Sequence, residues 1–379
     1  MKGMVFSLVH IYSPGRVEIG GNHTDHQHGV VLAAAVNLAL TGSAEANGDN
    51  VIRVNSKGHS PNEVELSDLS VREGEKGSSN ALIRGIAAWF ERHDYKIGGF
   101  NAVTESSVPG GSGLSSSASF EVAVGNTLAA LFGGKVTPVE IALAGQYAET
   151  RYFGKPCGLM DQVTCSVGGI VKVDLRDTDA PLIEKINFDF ETAGLALCVT
   201  DTGGSHSDLT SDYAAIPREM SEVAERFGKE FMRDVSRDEF YRCLPELRGT
   251  ISDRSLLRAI HFLDENETAE LEAAALKENR VDDFLRLVNR SGRSSFAYLQ
   301  NIYPPDNPGE QGISLALALS EQILGDKGAF RVHGGGFAGT IQAFVPLDMV
   351  ERYTSEMNRV FGKCRVLSIS QRGGTAAVV

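Results

Sequence analysis

The spacing of apolar and polar positions changes character along the chain. The first third alternates and turns: VFSLVHIYSPGRV (5–17), VVLAAAVNLALTGSAEA (30–46) and NVIRVNSK (50–57) predict strands. Over about 80–92 the period lengthens, with Leu82, Ile86, Trp89 and Phe90 on one side of a predicted helix. GGFNAVTESSVPGG (98–111) reads as a strand entering a loop, and SSSASFEVAVGNTLAALFG (115–133) as a helix with a small-residue face. Thr137-Pro138-Val139-Glu140 is a helix start: hydroxyl at the N-cap, proline at the first position, a glutamate at the third to cap back. That helix is predicted to run to about Gly154, and SVGGIVKVDLR (166–176) to be a strand. Residues 217–290 read as mostly helical, and the last part alternates helix and strand. This mixed order predicts an α+β fold in two lobes, 1–180 and 181–379, with the boundary somewhere in 175–200.

Composition narrows the function classes. A chain of 379 residues with 42% hydrophobic and 22% charged residues builds a substantial core. Its 49 acidic and 36 basic residues leave a net charge of −13, which argues against nucleic acid and anionic membrane as partners. A few backbone amides can still make a local anion pocket. The five cysteines, Cys157, Cys165, Cys198, Cys243 and Cys364, form no C-x2-C pair and read as free thiols. The apolar run from Val30 to Leu40 is broken by Asn37 and is too short to span a bilayer. The first residues lack a secretory apolar region, so a cytoplasmic enzyme is expected, as a monomer, with oligomers left open.

Four runs carry candidate chemistry. GGNHTDHQHG (20–29) places His23, Asp25, His26 and His28 within six positions; a metal site, a substrate site and a plain turn all suit those residues. Their i, i+2, i+3, i+5 spacing spreads the side chains in different directions, and His and Asp also suit a ligand with many hydroxyls. In PGGSGLSSSASF (109–120), Gly110, Gly111 and Gly113 permit close backbone approach before a helix N-terminus, an arrangement suited to a phosphate; a serine-rich turn is the bland alternative. RVHGGGFAG (331–339) is a glycine run between strands. ETRYFGKPCGLMDQ (149–162) offers Glu149 and Asp161, one carboxylate for Mg²⁺ and one to accept a proton from an attacking hydroxyl; two solvated acids would look the same.

Together these runs resemble one family. SPGRVEIGGNHTDHQHGVVL resembles the galactokinase signature P-G-R-V-N-x-x-G-E-H-T-D-Y-N-x-G-x-V-L. PGGSGLSSSAS is similar to the phosphate loop of the GHMP small-molecule kinases, GGGFAG to their third motif, and KPCGLMDQ to the galactokinase segment with the catalytic aspartate. The resemblance implies the two-lobed GHMP kinase fold with its active site in the cleft between the lobes. It implies ATP and Mg²⁺ as cofactors, and a sugar phosphorylated at its anomeric (C1) hydroxyl. Asp161 takes the catalytic position with Arg16 beside it; Asn22, His23, Asp25, Gly158 and Tyr213 match sugar-binding positions. Ser116 and Glu149 match the metal ligands, and Gly110, Gly111, Ser112, Gly113, Leu114, Ser115, Ser116 and Ser117 form the ATP-binding loop. Arg16 is expected to depress the pKa of Asp161. On this reading the histidine-rich run holds a sugar.

The signature is not matched throughout. Asn22 stands where the family has a glutamate that binds the sugar end remote from C1, Glu18 where it has an asparagine, and His26 where it has a tyrosine. A glutamate at 22 would repel a substrate carboxylate at C6 by on the order of 4 kcal/mol at ~4 Å and an effective dielectric of ~20. Asn22 removes that repulsion, so galactose and galacturonate are both expected candidates, and Asn22→Glu is expected to favour galactose. A non-catalytic sugar and ATP sensor, or a GHMP kinase for another sugar such as a heptose phosphate, are the alternatives. Asp161, Arg16, Ser116 and Glu149 are all in place for an enzyme. Trp89 and Tyr95 are candidates for stacking on adenine, or are simply core.

Overall fold

A single long strand organises the first half of the chain. In the computed structural model, which describes residues 8–111, 113–204 and 209–378, β1 (Val9–Gly20) and β2 (Val30–Ala46) form an antiparallel pair. The early residues of β2 are almost entirely buried, which is why its Val-Val-Leu-Ala-Ala-Ala-Val run is apolar without alternation. β3 (Val51–Ser56) and β4 (Asn62–Glu65) follow, then α1 (Ser79–Arg92), β5 (Phe100–Ser106), α2 (Ser116–Phe132) and α3 (Pro138–Tyr147). The predicted capping box of α3 is present: Thr137 accepts from the Glu140 amide while Glu140 accepts from the Thr137 amide. A π-helical turn, Ala148–Phe153, continues α3 and ends on left-handed Gly154. Next come α4 (Met160–Val167), β6 (Ile170–Asp174), β7 (Leu182–Ile186) and β8 (Leu195–Asp201).

The second half is largely helical: α5 (Thr210–Glu225), α6 (Arg237–Leu247), α7 (Asp253–Lys277) and α8 (Val281–Ser294), then a π-helical turn at Ser295–Leu299 and α9 (Gly312–Leu324). The chain ends with β9 (Ala329–His333), β10 (Thr340–Pro346), α10 (Val350–Phe361), β11 (Cys364–Leu367) and β12 (Thr375–Val378).

Two sheets result. Among the described residues the first has eight strands with a path β12-β1-β2-β5-β3-β4, β6 pairing with the early part of β2 and β7 with β6; of its pairs only β3–β5 is parallel. The second has four antiparallel strands ordered β11-β8-β10-β9. One core packs α1, α2 and α3 on the first sheet; another joins both sheets through Val17, Leu32, Leu197, Phe284 and Phe344. This is the α+β class expected. Among the described residues no helix is long and apolar enough to cross a membrane. Trp89 is core: buried, stacked on His93 at 3.8 Å and near Tyr95, whose hydroxyl is bound to Glu140.

Candidate active site

Register shifts between Pro14 and Arg16 and between Glu18 and Gly20 twist β1 just where its polar residues lie. The Arg16 amide donates to the Leu114 carbonyl at 3.1 Å, tying the strand to the glycine-serine loop. Its guanidinium donates to the Gly113 carbonyl and grips Asp161 with two bonds, Nε to Oδ1 and Nη2 to Oδ2, both 2.7 Å. The Ser115 hydroxyl donates to the same Oδ2. Burial alone would raise the Asp161 carboxyl; the Arg16 charge, its paired hydrogen bonds and Ser115 outweigh burial and hold the group below its ordinary value. The Asp161 side chain keeps 30% of its surface exposed, so this fixed carboxylate can still meet a ligand.

The loop around Asp161 has the features of an anion cradle. Ser115 is left-handed at the start of α2, and its side chain, turned to Asp161, caps none of the helix amides. The first turn, with half-buried Ser116 and Ser117, is therefore open to an anion. Gly110 and Gly111 are exposed, Gly113 is half-buried, and Leu114 is core. Ser112 lies outside the described residues.

The histidine-rich turn meets the segment just before α4. Gly158, just before α4, packs directly on Asp25: a side chain there would bring its Cβ to 1.9 Å from Asp25 Oδ2. Asp25 Oδ1 accepts from the His26 amide at 2.9 Å. His23 is buried and binds the Gly335 carbonyl through Nε2 at 3.0 Å. Tyr213 reaches the same segment, donating to the Gly336 carbonyl at 2.9 Å with its ring edge-on to Phe337. Burial first, then the nearby His26, push the His23 pKa down to about 3. The ring is thus neutral, and because a carbonyl only accepts, the proton sits on Nε2. Nδ1 is a buried acceptor with no hydrogen-bond partner among the described residues.

No metal cage forms in this turn. His28 stacks on Phe231 at 3.7 Å, and among the described residues no three His, Cys, Asp or Glu side chains are grouped to hold a metal ion. Glu149 sits elsewhere, buried in the π-helical turn after α3, where Oε2 accepts from Gln162 Nε2 at 2.8 Å and Oε1 lies 3.3 Å from Lys155 Nζ. One buried carboxylate and a serine hydroxyl are hard oxygen donors suited to Mg²⁺, which takes its remaining ligands from phosphates and water.

Asn22 occupies a different setting from the one expected. It is fully buried, and its amide is spent on the protein: Nδ2 donates to Glu18 Oε1 (2.9 Å) and the Gly334 carbonyl (2.7 Å), while Oδ1 accepts from Ser295 (3.2 Å) and Asn301 (3.0 Å). Its backbone is held as well, the amide by Glu265 and the carbonyl by His261. Glu18 pairs with fully buried Arg331 at 2.6 Å, and its amide donates to His333 Nε2 at 3.1 Å. The glycine run at 331–339 is thereby locked onto the first motif.

Sequence reasoning missed this second layer. Glu121, Gln162 and Lys155 surround Glu149, and Glu18, Glu265, Glu272 and Arg331 form a sealed charge cluster. The signal was present on α7, where His261, Glu265, Thr268 and Glu272 recur at i, i+4, i+7 and i+11, a polar stripe on the inner face.

Comparison with known proteins finds relatives over most of the chain. Residues 7–45 match the galactokinase galactose-binding signature and residues 81–169 the GHMP kinases N terminal domain. The chain is 30% identical over 347 residues to a galactokinase of Glaesserella parasuis serovar 5 (strain SH0165), covering 90% of this chain and 86% of that protein. In fold it is similar to Lactococcus lactis galactokinase complexed with galactose (TM-score 0.83, 23% identity, 98% of this chain and 95% of that one). It is also similar to the Methanococcus jannaschii mevalonate kinase (TM-score 0.67, 15% identity, 95% and 98%).

Proposed function

Because the chain belongs to the galactokinase family of the GHMP kinases, we propose that it moves the terminal phosphoryl group of ATP to the C1 hydroxyl of galactose or a galactose-configured sugar. The new bond joins the anomeric oxygen to the γ-phosphorus, the bridge to the β-phosphate breaks, and ADP leaves. The observation carrying this reading is the place of Asp161. It is fixed by Arg16 and Ser115 at the glycine-serine loop, in the first turn of α4 and close in the chain to Gly158, which rests on Asp25 of the sugar motif.

Asp161, charged and oriented, takes or aligns the proton of the attacking hydroxyl. His23, Asp25, Gly158 and Tyr213 take the sugar: Gly158 rests on Asp25, and His23 and Tyr213 both bind the glycine run at 335–336. The α2 amides and the loop from Gly110 to Ser117 embrace the ATP phosphates. Ser116 and Glu149 would hold Mg²⁺, which when bound neutralises phosphate charge. A lobe division drawn along the two sheets falls after β7 rather than at residue 180, with β12 returning from the end of the chain to the first sheet.

The Asn22 amide, fully committed within the protein, lends no support to a contact with a substrate carboxylate, so galactose is the favoured substrate. Release of ADP with a panel of hexoses and galacturonate, with the phosphorylated carbon located by ³¹P NMR, tests the reading. Galactose 1-phosphate is the expected product. Binding of sugar and ATP without ADP release would instead assign the chain to sensors.

A further inference from the structure

We infer that Gln162 is a positioning residue that holds Glu149 for the metal and joins it to the helix carrying Asp161; this rests on the metal role proposed for Glu149 above. Gln162 follows Asp161 in the first turn of α4, is fully buried and reaches between α2 and the π-helical turn. One nitrogen serves two acids: Nε2 donates to Glu149 Oε2 at 2.8 Å and to Glu121 Oε2 at 3.0 Å. The orientation of the amide is dictated by Glu149, because the flipped form would set its oxygen against that carboxylate, while burial and Glu149 push the Glu121 carboxyl up. Packing fixes it from the third side. Gly145 of α3 leaves just enough room: a Cβ there would lie 3.0 Å from both Gln162 Cγ and Glu121 Oε2.

Both N–H bonds are therefore used to hold two buried acids at set positions, and only one of those acids is assigned a ligand role. Glu149 alone is free to swing on its own χ angles; bonded to Gln162, one oxygen is occupied and the carboxylate plane is set. An apolar side chain of similar length removes the donor and leaves Glu121 and Glu149 facing each other without an intermediary.

The test is Mn²⁺ binding, read by electron paramagnetic resonance on the full chain with a non-hydrolysable ATP analogue, beside galactose affinity measured calorimetrically. For Gln162→Met, Mn²⁺ affinity is expected to fall about 10-fold with galactose affinity within about twofold, and turnover at limiting Mg²⁺ to recover in part as Mg²⁺ is raised. If Gln162→Met does not fold, Gln162→Asn, which withdraws the amide by one methylene, is read by the same measurements. Unchanged Mn²⁺ affinity in a folded variant, or equal losses for metal and sugar, overturns the inference. Glu149→Gln separates the layers. If it weakens Mn²⁺ binding while Gln162→Met does not, only the role of Gln162 fails; if Glu149→Gln leaves Mn²⁺ binding intact, the metal assignment beneath it fails.

Discussion

Arg16 and Asp161 lie on a strand and a helix far apart in the chain, yet meet in a two-bond fork with both contacts at 2.7 Å. A planar guanidinium makes that fork, and a lysine ammonium cannot. Arg16→Lys keeps the charge and should lower kcat by about 10-fold or more, since the carboxylate loses its orientation. The sign of the pH effect follows from the same pair. Asp161 works ionised and its pKa is depressed, so activity in the native protein should be lost only as pH falls through that low value. In Arg16→Lys the acidic limb of the kcat/KM profile should move to higher pH; an unmoved limb would show that the fork does not set this pKa.

The Glu18–Asn22 bond suggests an exchange. Relative to the family signature, acid and amide have traded places, and the two side chains touch at 2.9 Å. Asn22→Glu alone would set a second carboxylate against Glu18 in a sealed site, at a cost of about 2–4 kcal/mol in stability. The double variant Glu18→Asn/Asn22→Glu restores one acid and one amide. It should be more stable than the sum of its single changes by at least ~1 kcal/mol, measured by chemical denaturation of all four proteins. Strict additivity would mean the contact is incidental.

Gly158→Ala should act on the sugar and spare the nucleotide. Its methyl group would fall on Asp25 Oδ2, which has to move. Galactose affinity should drop about 10-fold or more while affinity for an ATP analogue stays within about twofold. Equal losses on both sides would indicate a general collapse of the α4 N-terminus.

Three buried histidines, His23, His261 and His333, all have pKa values lowered from 6.5, chiefly by burial. The unfolded chain then binds protons that the folded chain refuses. Stability is intact above pH 6.5 and is lost as pH falls below it, continuing for His23 to about 3. The slope is up to ~1.4 kcal/mol per pH unit for each histidine. Glu272 has the opposite sign: burial raises its pKa well above 4.5 and neither oxygen has a hydrogen-bond partner among the described residues, so stability is lost as pH rises through the raised value. Glu272→Gln should melt higher than the native protein at pH 8, with the advantage shrinking toward pH 5.

Much of this was legible in the chain because it is local. The 17 residues of β2 were read correctly from an apolar run bounded by glycine, and the α3 start from a capping box that needs only four residues. The candidate site was legible as residue types, since close backbone approach and oxygen ligation demand particular side chains. Direction was not. Asn22 looked like a pocket residue, but its amide faces Glu18, Gly334, Ser295 and Asn301, contributed mostly by segments far along the chain. Glu265 and Glu272 carry no local signal for their burial on a long helix, because Arg331, whose charge they feel, comes from a strand far along the chain. Ser115 looked like one more loop hydroxyl, and its bond to Asp161 arises from a left-handed turn that a serine rarely adopts.

The most direct test replaces Asp161 by asparagine and follows ADP release with galactose beside the equilibrium binding of galactose and an ATP analogue. Turnover should fall by about 10³-fold or more with both affinities within about threefold, because the shape of the site is kept while its proton acceptor is removed. Turnover within tenfold of the native rate would contradict a carboxylate working between sugar and phosphate.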